Sequence, residues 1–170
     1  MTKIAADGWE IRFQEKKIDP IDLSALIQRL RQEGKTIGTL NGSFDLLHAG
    51  HLHMLFEAAR QADILIVALN SDASIKEYKS KDRPIIPLQE RLQMIAALEC
   101  VDYVTWFHET DPRSILSVIK PNVHSNGAEY GASCIEADTV KAFGGKVHII
   151  SLIPGLSTSQ IVEKIRKKES

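Results

Sequence analysis

Between residues 22 and 31 the apolar positions Leu23, Leu26, Ile27 and Leu30 recur at three- and four-residue steps, the spacing of one helical face. A helix is predicted there, ended by Gly34 just past its last turn. The period then changes. Residues 36–41 read as a strand, 50–60 as a helix, and 64–69 (Ile-Leu-Ile-Val-Ala-Leu) as an unbroken apolar run suited to a central parallel strand covered on both faces. A short helix at 73–78 and a longer one at 88–99 follow, the second with Leu92, Ile95, Ala96 and Leu98 on its apolar side. The remainder alternates: strand 103–106, helix 112–119 opened by proline, strand 122–125, helix 135–143, strand 146–151 and helix 158–167. Residues 1–17 are polar and lack either period; they are expected to form an irregular tail or docking arm ahead of one domain over 18–170.

Five strands separated by helices predict an α/β fold, a Rossmann-like three-layer α/β/α arrangement on a five-stranded parallel sheet. Crossovers in such sheets are right-handed. Ligands bind beyond the carboxyl ends of the strands, where the strand order reverses. The segments after Asn41, Asn70, Trp106, Ser125 and Ser151 should therefore face the site.

Composition narrows the partners. The 170 residues are 44% hydrophobic and 25% charged, ordinary for a globular protein, and the formal net charge is -1. Nothing in that balance calls for nucleic acid or a membrane surface. No apolar run approaches the roughly 20 residues of a membrane span, and the first ten residues lack a signal-peptide core, so a cytoplasmic location is expected. Cys100 and Cys134 match no metal-ligand spacing and read as reduced thiols.

The chemistry concentrates after the first strand, in Asn41-Gly42-Ser43-Phe44-Asp45-Leu46-Leu47-His48-Ala49-Gly50-His51. Gly42 allows close backbone approach. His48 and His51, three apart at a helix start, fall on one face beside free backbone N–H groups and the positive end of the helix dipole. That is a phosphate site, and preorganised donors there would stabilise charge developing during transfer at phosphorus. Two incidental histidines at a helix start would give the same spacing. A zinc pair is less suited, because no cysteine or carboxylate joins them and His53 at zinc spacing.

This stretch resembles the GxFDxxHxGH signature of the cytidylyltransferase-like nucleotidyltransferases. The resemblance implies that Gly42, Ser43, Phe44, His48 and His51 hold the nucleotide, and that both histidines stabilise the transition state. Leu156-Ser157-Thr158-Ser159 is similar to the family's second signature, which holds phosphates at a helix N-terminus; a plain helix cap would also explain Ser157 and Thr158. Arg91 lies in a helix resembling the family's ERxxMI, where an arginine faces the phosphates, and is taken as the third catalytic residue. The basic loop Lys76, Lys79, Lys81, Arg83 could close over phosphates, with Lys76 assigned to the nucleotide and Lys81 to the acceptor. Asn70, Asn126 and Gly127 complete the expected nucleotide contacts, although Asn70-Ser71-Asp72 reads equally as a helix cap. Asp45 could orient the acceptor, bind Mg²⁺ or cap the turn; it is grouped with Glu129 and Tyr130 on the acceptor side.

Beyond the motifs, the stretches at 35–42, 70–76, 83–85 and 97–99 look most like the nucleotidyltransferase domain of the ADP-heptose synthases, adenylyltransferases that act on heptose 1-phosphate. At this length the chain would lack the sugar kinase fused to many of them. The resemblance implies ATP and a phosphorylated sugar as substrates, Mg²⁺ with the triphosphate, no dedicated metal cage, and a homodimer as in many family members. Two departures matter. The heptose enzymes' Lys-Gly-Gly-Asp-Tyr/Trp stretch reads Asn126-Gly127-Ala128-Glu129-Tyr130 here, which removes a point charge suited to phosphate. The arginine that precedes the second signature in glycerol-3-phosphate cytidylyltransferases is also absent, which counts against the cytidylyl branch. A cytidylyltransferase for a polyol or amino-alcohol phosphate, and a nucleotide-binding module without catalysis, stand as alternatives.

Overall fold

A computed structural model of the chain describes residues 8–131 and 133–167. The elements run α1 (Gly8–Lys16), α2 (Leu23–Gln32), β1 (Ile37–Gly42), α3 (Ala49–Ala59), β2 (Ile64–Asn70), α4 (Asp72–Tyr78), α5 (Leu88–Ala96), β3 (Tyr103–Phe107), α6 (Arg113–Ile119), β4 (Val123–Gly127), α7 (Ala137–Ala142), β5 (Lys146–Ile150) and α8 (Thr158–Arg166). The five strands form one parallel sheet in the order β3-β2-β1-β4-β5. The order reverses between β1 and β4, so their carboxyl ends mark the switch point at which such sheets bind ligands.

Side chains alternate across the strands and build one apolar layer on each face. Leu40, Leu65, Val67, Leu69 and Val104 meet Leu55 and Ala58 of α3 and Leu92, Ile95 and Ala96 of α5. On the other face Ile37, Ile66, Ala68 and Phe107 meet α2 through Leu23, Leu26, Ile27 and Leu30, and α6 through Ile115 and Ile119. The helical spacing read at 22–31 thus delivers four buried side chains to the sheet. Burying each such side chain contributes about 2 kcal/mol.

Most boundaries shift by one or two residues from the sequence reading, and three of the differences bear on the site or the core. β4 runs on to Gly127, which puts Asn126 and Gly127 inside the strand. α5 stops at Ala96, and its last turn tightens through Leu98 N to Ile95 O at 3.1 Å and Val101 N to Leu98 O at 3.3 Å. The larger correction is at the start. Residues 8–16, expected to be irregular, form a helix that docks through Phe13, 2% exposed in the same layer as Leu92 and Val104. Lys16 Nζ donates to the carbonyls of Leu98 (3.1 Å) and Val101 (2.6 Å), and Ile18 N donates to Val104 O at 2.9 Å, so the chain leaves α1 along the outer edge of β3. Of the three large apolar residues Trp9, Ile11 and Phe13, only Phe13 is buried, with Trp9 stacked on its ring at 5.5 Å between centroids, so the dock rests on one inserted side chain. Phe13→Ala should lower the free energy of unfolding by about 3–5 kcal/mol, read as a shift of the urea midpoint; an unchanged midpoint would mean that α1 does not belong to the core.

Candidate active site

Every part of the site hangs on how β1 turns into α3. Gly42 ends the strand, and a Cβ there would lie 3.3 Å from the ring of Phe44, so the position has little room for a side chain. Phe44 itself adopts a positive φ of 47° and is buried. Its ring supports His51 from below, with centroids 5.3 Å apart; it is a floor to the site rather than a wall.

His48 is the N-cap of α3, in extended conformation, and its Nδ1 accepts from Gly50 N at 3.1 Å. In the neutral ring this bond leaves the proton on Nε2, so the outer edge of the imidazole is a donor. Gly50 has no room for more: a Cβ would meet the His48 ring at 3.0 Å and Leu156 Cβ at 3.1 Å. The His48 and His51 rings stack at 3.8 Å between centroids. Desolvation lowers the pKa of His48, and desolvation with the neighbouring His48 and Lys79 charges brings His51 to about 4, only partly offset by the Leu46 carbonyl. Both are neutral hydrogen-bonding groups near pH 7 at the positive end of a helix.

Across the site a buried clamp holds the loops. Arg91 is 0% exposed. Its Nε donates to Ile86 O (2.9 Å), Nη1 to Ser43 O (2.5 Å), and Nη2 to Asn70 O (2.9 Å) and Asp72 Oδ1 (2.6 Å). The expectation of an arginine facing phosphates is not met; its donors are turned on the protein. Asp45 likewise departs from the acceptor side. It is 0% exposed, pairs with Arg83, and accepts from Ile85 N (2.8 Å) and Ile86 N (2.9 Å), which leaves the turn-capping reading of the three.

The basic loop is not a uniform run. Lys76, Lys79 and Lys81 all stand exposed. Lys79, which nothing in the sequence distinguishes from its neighbours, donates from Nζ to Ser43 Oγ at 2.9 Å, beside the two histidines. Desolvation and the nearby Arg83 lower its pKa. The Tyr78 hydroxyl also lies near Ser43 and Tyr130, and burial raises its pKa.

The other expected residues divide. Asn70 is buried and turns inward, its Nδ2 donating to Ser74 Oγ at 3.1 Å. Asn126 is buried at the end of β4, where its Oδ1 accepts from Gly127 N at 3.0 Å. The Glu129 carboxylate lies over Gly127, on the side where a Cβ would project. Tyr130 is exposed beyond it. Ser157 is the N-cap of α8, its Oγ accepting from Gln160 N at 3.3 Å, and Thr158 opens the helix. The contact of Leu156 with Gly50 places that cap against the start of α3. Two helix N-termini therefore meet beside the stacked histidines, an arrangement made for anions. Among the described residues no three His, Cys, Asp or Glu side chains gather as a metal site, and no helix is long and apolar enough to cross a membrane.

Comparison with known proteins bears on the family and the fold. A family model described as cytidylyltransferase-like matches residues 39–166. Bifunctional protein HldE of Trichlorobacter lovleyi is 40% identical over 167 residues, covering 97% of this chain and 34% of that protein; the chain spans about a third of the length of the curated relatives it matches. A lipopolysaccharide core biosynthesis protein from Thermoplasma volcanium superposes with a TM-score of 0.58 at 28% identity, covering 71% of this chain and 98% of that one. A pantoate-beta-alanine ligase from Francisella tularensis shares the fold alone, with a TM-score of 0.58 at 16% identity over 91% of this chain and 78% of that one.

The histidines also set how the protein responds to acid. His124, 0% exposed on β4 and bonded to Thr39 Oγ1 at 2.8 Å, has its pKa lowered by burial to about 4, as has His51. Both folded values lie below the ordinary 6.5, so the unfolded chain takes up protons first as the pH falls. Stability from these groups should be fully present above about pH 6.5 and lost toward pH 4, by up to about 3 kcal/mol for His124. Urea unfolding at stepped pH should show this slope, and His124→Leu should flatten it; an identical slope in the variant would mean that His124 is not buried neutral.

Proposed function

The chain belongs to the cytidylyltransferase-like family, and from that premise we propose that it is a nucleotidyltransferase that moves AMP from ATP to a sugar 1-phosphate and releases pyrophosphate. Heptose 1-phosphate is the favoured acceptor, supported by the resemblance to the ADP-heptose synthases and by the likeness to a lipopolysaccharide core biosynthesis protein. The observation that carries the reading is the stacked pair of neutral histidines at the start of α3, with His48 oriented by Gly50 N.

In this reaction an oxygen of the acceptor phosphate attacks the α-phosphorus of the donor. The bond to the bridging oxygen breaks, and pyrophosphate leaves with the electron pair. No covalent enzyme intermediate is needed, because the acceptor phosphate is already the nucleophile. Charge gathers on the phosphoryl oxygens and the leaving group, where His48, His51, Lys79 and the two helix N-termini converge. A neutral imidazole is suited to this place, because it donates without the desolvation cost of burying a cation. Ser157 and Thr158 would hold phosphates from the opposite side, with Ser43 between. Lys76 and Lys81 would reach the phosphates only if the loop after β2 closed. Arg91 and Asp45 act as positioning residues. Asn126 and Gly127 would floor the nucleoside, and Glu129 and Tyr130 would face the acceptor.

Mg²⁺ would arrive on the triphosphate oxygens, since Asp45 is spent on Arg83 and two backbone N–H groups. The same reading extends to a cytoplasmic enzyme that works as a homodimer. Asn126 in place of the lysine of the heptose enzymes favours one second reading, the same transfer to a different phosphorylated acceptor.

Pyrophosphate release with Mg²⁺, ATP or CTP, and a panel of sugar and polyol phosphates tests the assignment. Release with ATP and heptose 1-phosphate is expected. Release with another pair would move the substrate, and none with any pair would overturn the transfer reading. His51→Ala should lower kcat by at least about 10²-fold while the circular-dichroism spectrum stays unchanged; an undiminished kcat would remove His51 from the mechanism.

A further inference from the structure

The reaction leaves one buried acid without a role. Glu136 is 5% exposed, just before α7 beneath the end of β4. The other buried acid, Asp45, is met by a guanidinium and two backbone N–H groups; Glu136 takes part in no ion pair among the described residues. A carboxylate in such a place is costly unless something donates to it. Its partner is Asn126, whose Nδ2 donates to Oε2 across 3.5 Å, at the long end of the hydrogen-bond range. The Cys134 thiol lies within reach of both side chains.

The pairing has a directional consequence. A carboxamide can present either its oxygen or its nitrogen to a given neighbour. Glu136 accepts only, so it draws Nδ2 inward, and Oδ1 is then turned onto Gly127 N at 3.0 Å. Gly127 N–H is thereby engaged, and the strand end keeps one shape directly below the switch point between β1 and β4. Without an acceptor at 136 the carboxamide is free to rotate, and the Gly127 N–H loses its partner.

We propose that Glu136 is a positioning residue for the nucleotide: through Asn126 it fixes the end of β4 that floors the nucleoside. The proposal rests on the nucleotidyltransferase reading, so the probe is whichever of ATP and CTP supports pyrophosphate release in the unaltered protein. If neither is turned over or bound, that reading fails first, and this one with it.

The variants separate the acceptor role from charge and from packing. Glu136→Met removes the acceptor at similar volume and should raise the KM for the nucleotide about fivefold to tenfold, the value of one hydrogen bond, with kcat within twofold. Glu136→Gln keeps a carbonyl oxygen facing Nδ2 and should hold KM within about twofold. Asn126→Ala should raise KM as Glu136→Met does, and the double variant should do no worse than either single one. Unchanged KM in Glu136→Met, equal losses in the Met and Gln variants, or losses that multiply in the double variant would each overturn the proposal. If Glu136→Met does not fold, Asn126→Ala with and without Glu136→Gln decides it: a further rise in KM on adding Gln would refute the coupling.

Discussion

The buried guanidinium of Arg91 is the interaction on which the rest of the site depends. A parallel sheet leaves the loops beyond its carboxyl ends without mutual hydrogen bonds, and those loops carry the chemistry. Arg91 supplies what they lack. One rigid fork, anchored on α5, reaches the loop after β1 at Ser43, the end of β2 at Asn70, the start of α4 at Asp72, and the loop before α5 at Ile86. Asp45 repeats the device with opposite charge, binding Arg83 and the backbone of Ile85 and Ile86. The two ionic clamps share the segment 83–86, so the histidine loop and the basic loop are held against a common support. A lysine could not replace Arg91, because a single ammonium lacks the planar spread of donors that meets four acceptors.

The electrostatic design runs against simple intuition. A site for a polyanion would be expected to gather cations, yet most of the positive charge here is spent within the protein. Arg83 and Arg91 are both paired to carboxylates, and the two histidines are held neutral by burial, His51 also by its neighbours His48 and Lys79. What remains toward the ligand is a set of oriented N–H groups from two helix starts and two rings, with the ammonium of Lys79 at their edge. Fixed dipoles of this kind need no reorganisation as charge moves during transfer, which is the main source of such stabilisation.

Much of this was legible in the residues. The change of period after residue 34, the apolar run at 64–69 and the helices between strands carry the five-stranded parallel sheet, because burial on two faces demands those patterns. His48 and His51 were legible because their spacing and their place after the first strand are both local properties. What could not be read were destinations set by distant parts of the chain. Nothing near Arg91 or Asp45 says that each is 0% exposed and turned inward. Lys79 differs from Lys76 and Lys81 only in where the end of α4 aims it. Residues 8–16 hold Trp9, Ile11 and Phe13 among charged neighbours, but which of these enters the core is decided by the sheet they meet, and only Phe13 does.

The passage of the chain along β3 has a consequence for how the molecule coexists with its own copies. An outer strand with unpaired N–H and C=O groups is a template for any other strand that meets it. Here Lys17 bridges to Val104 and Ile18 donates to it, so part of that row is already taken by the chain's own backbone. At the opposite border β5 has only five residues and opens on a lysine, both features that discourage strand addition. The sheet is thus guarded on its two flanks by different means, and the guard at β3 is the stretch of chain that leads out of α1.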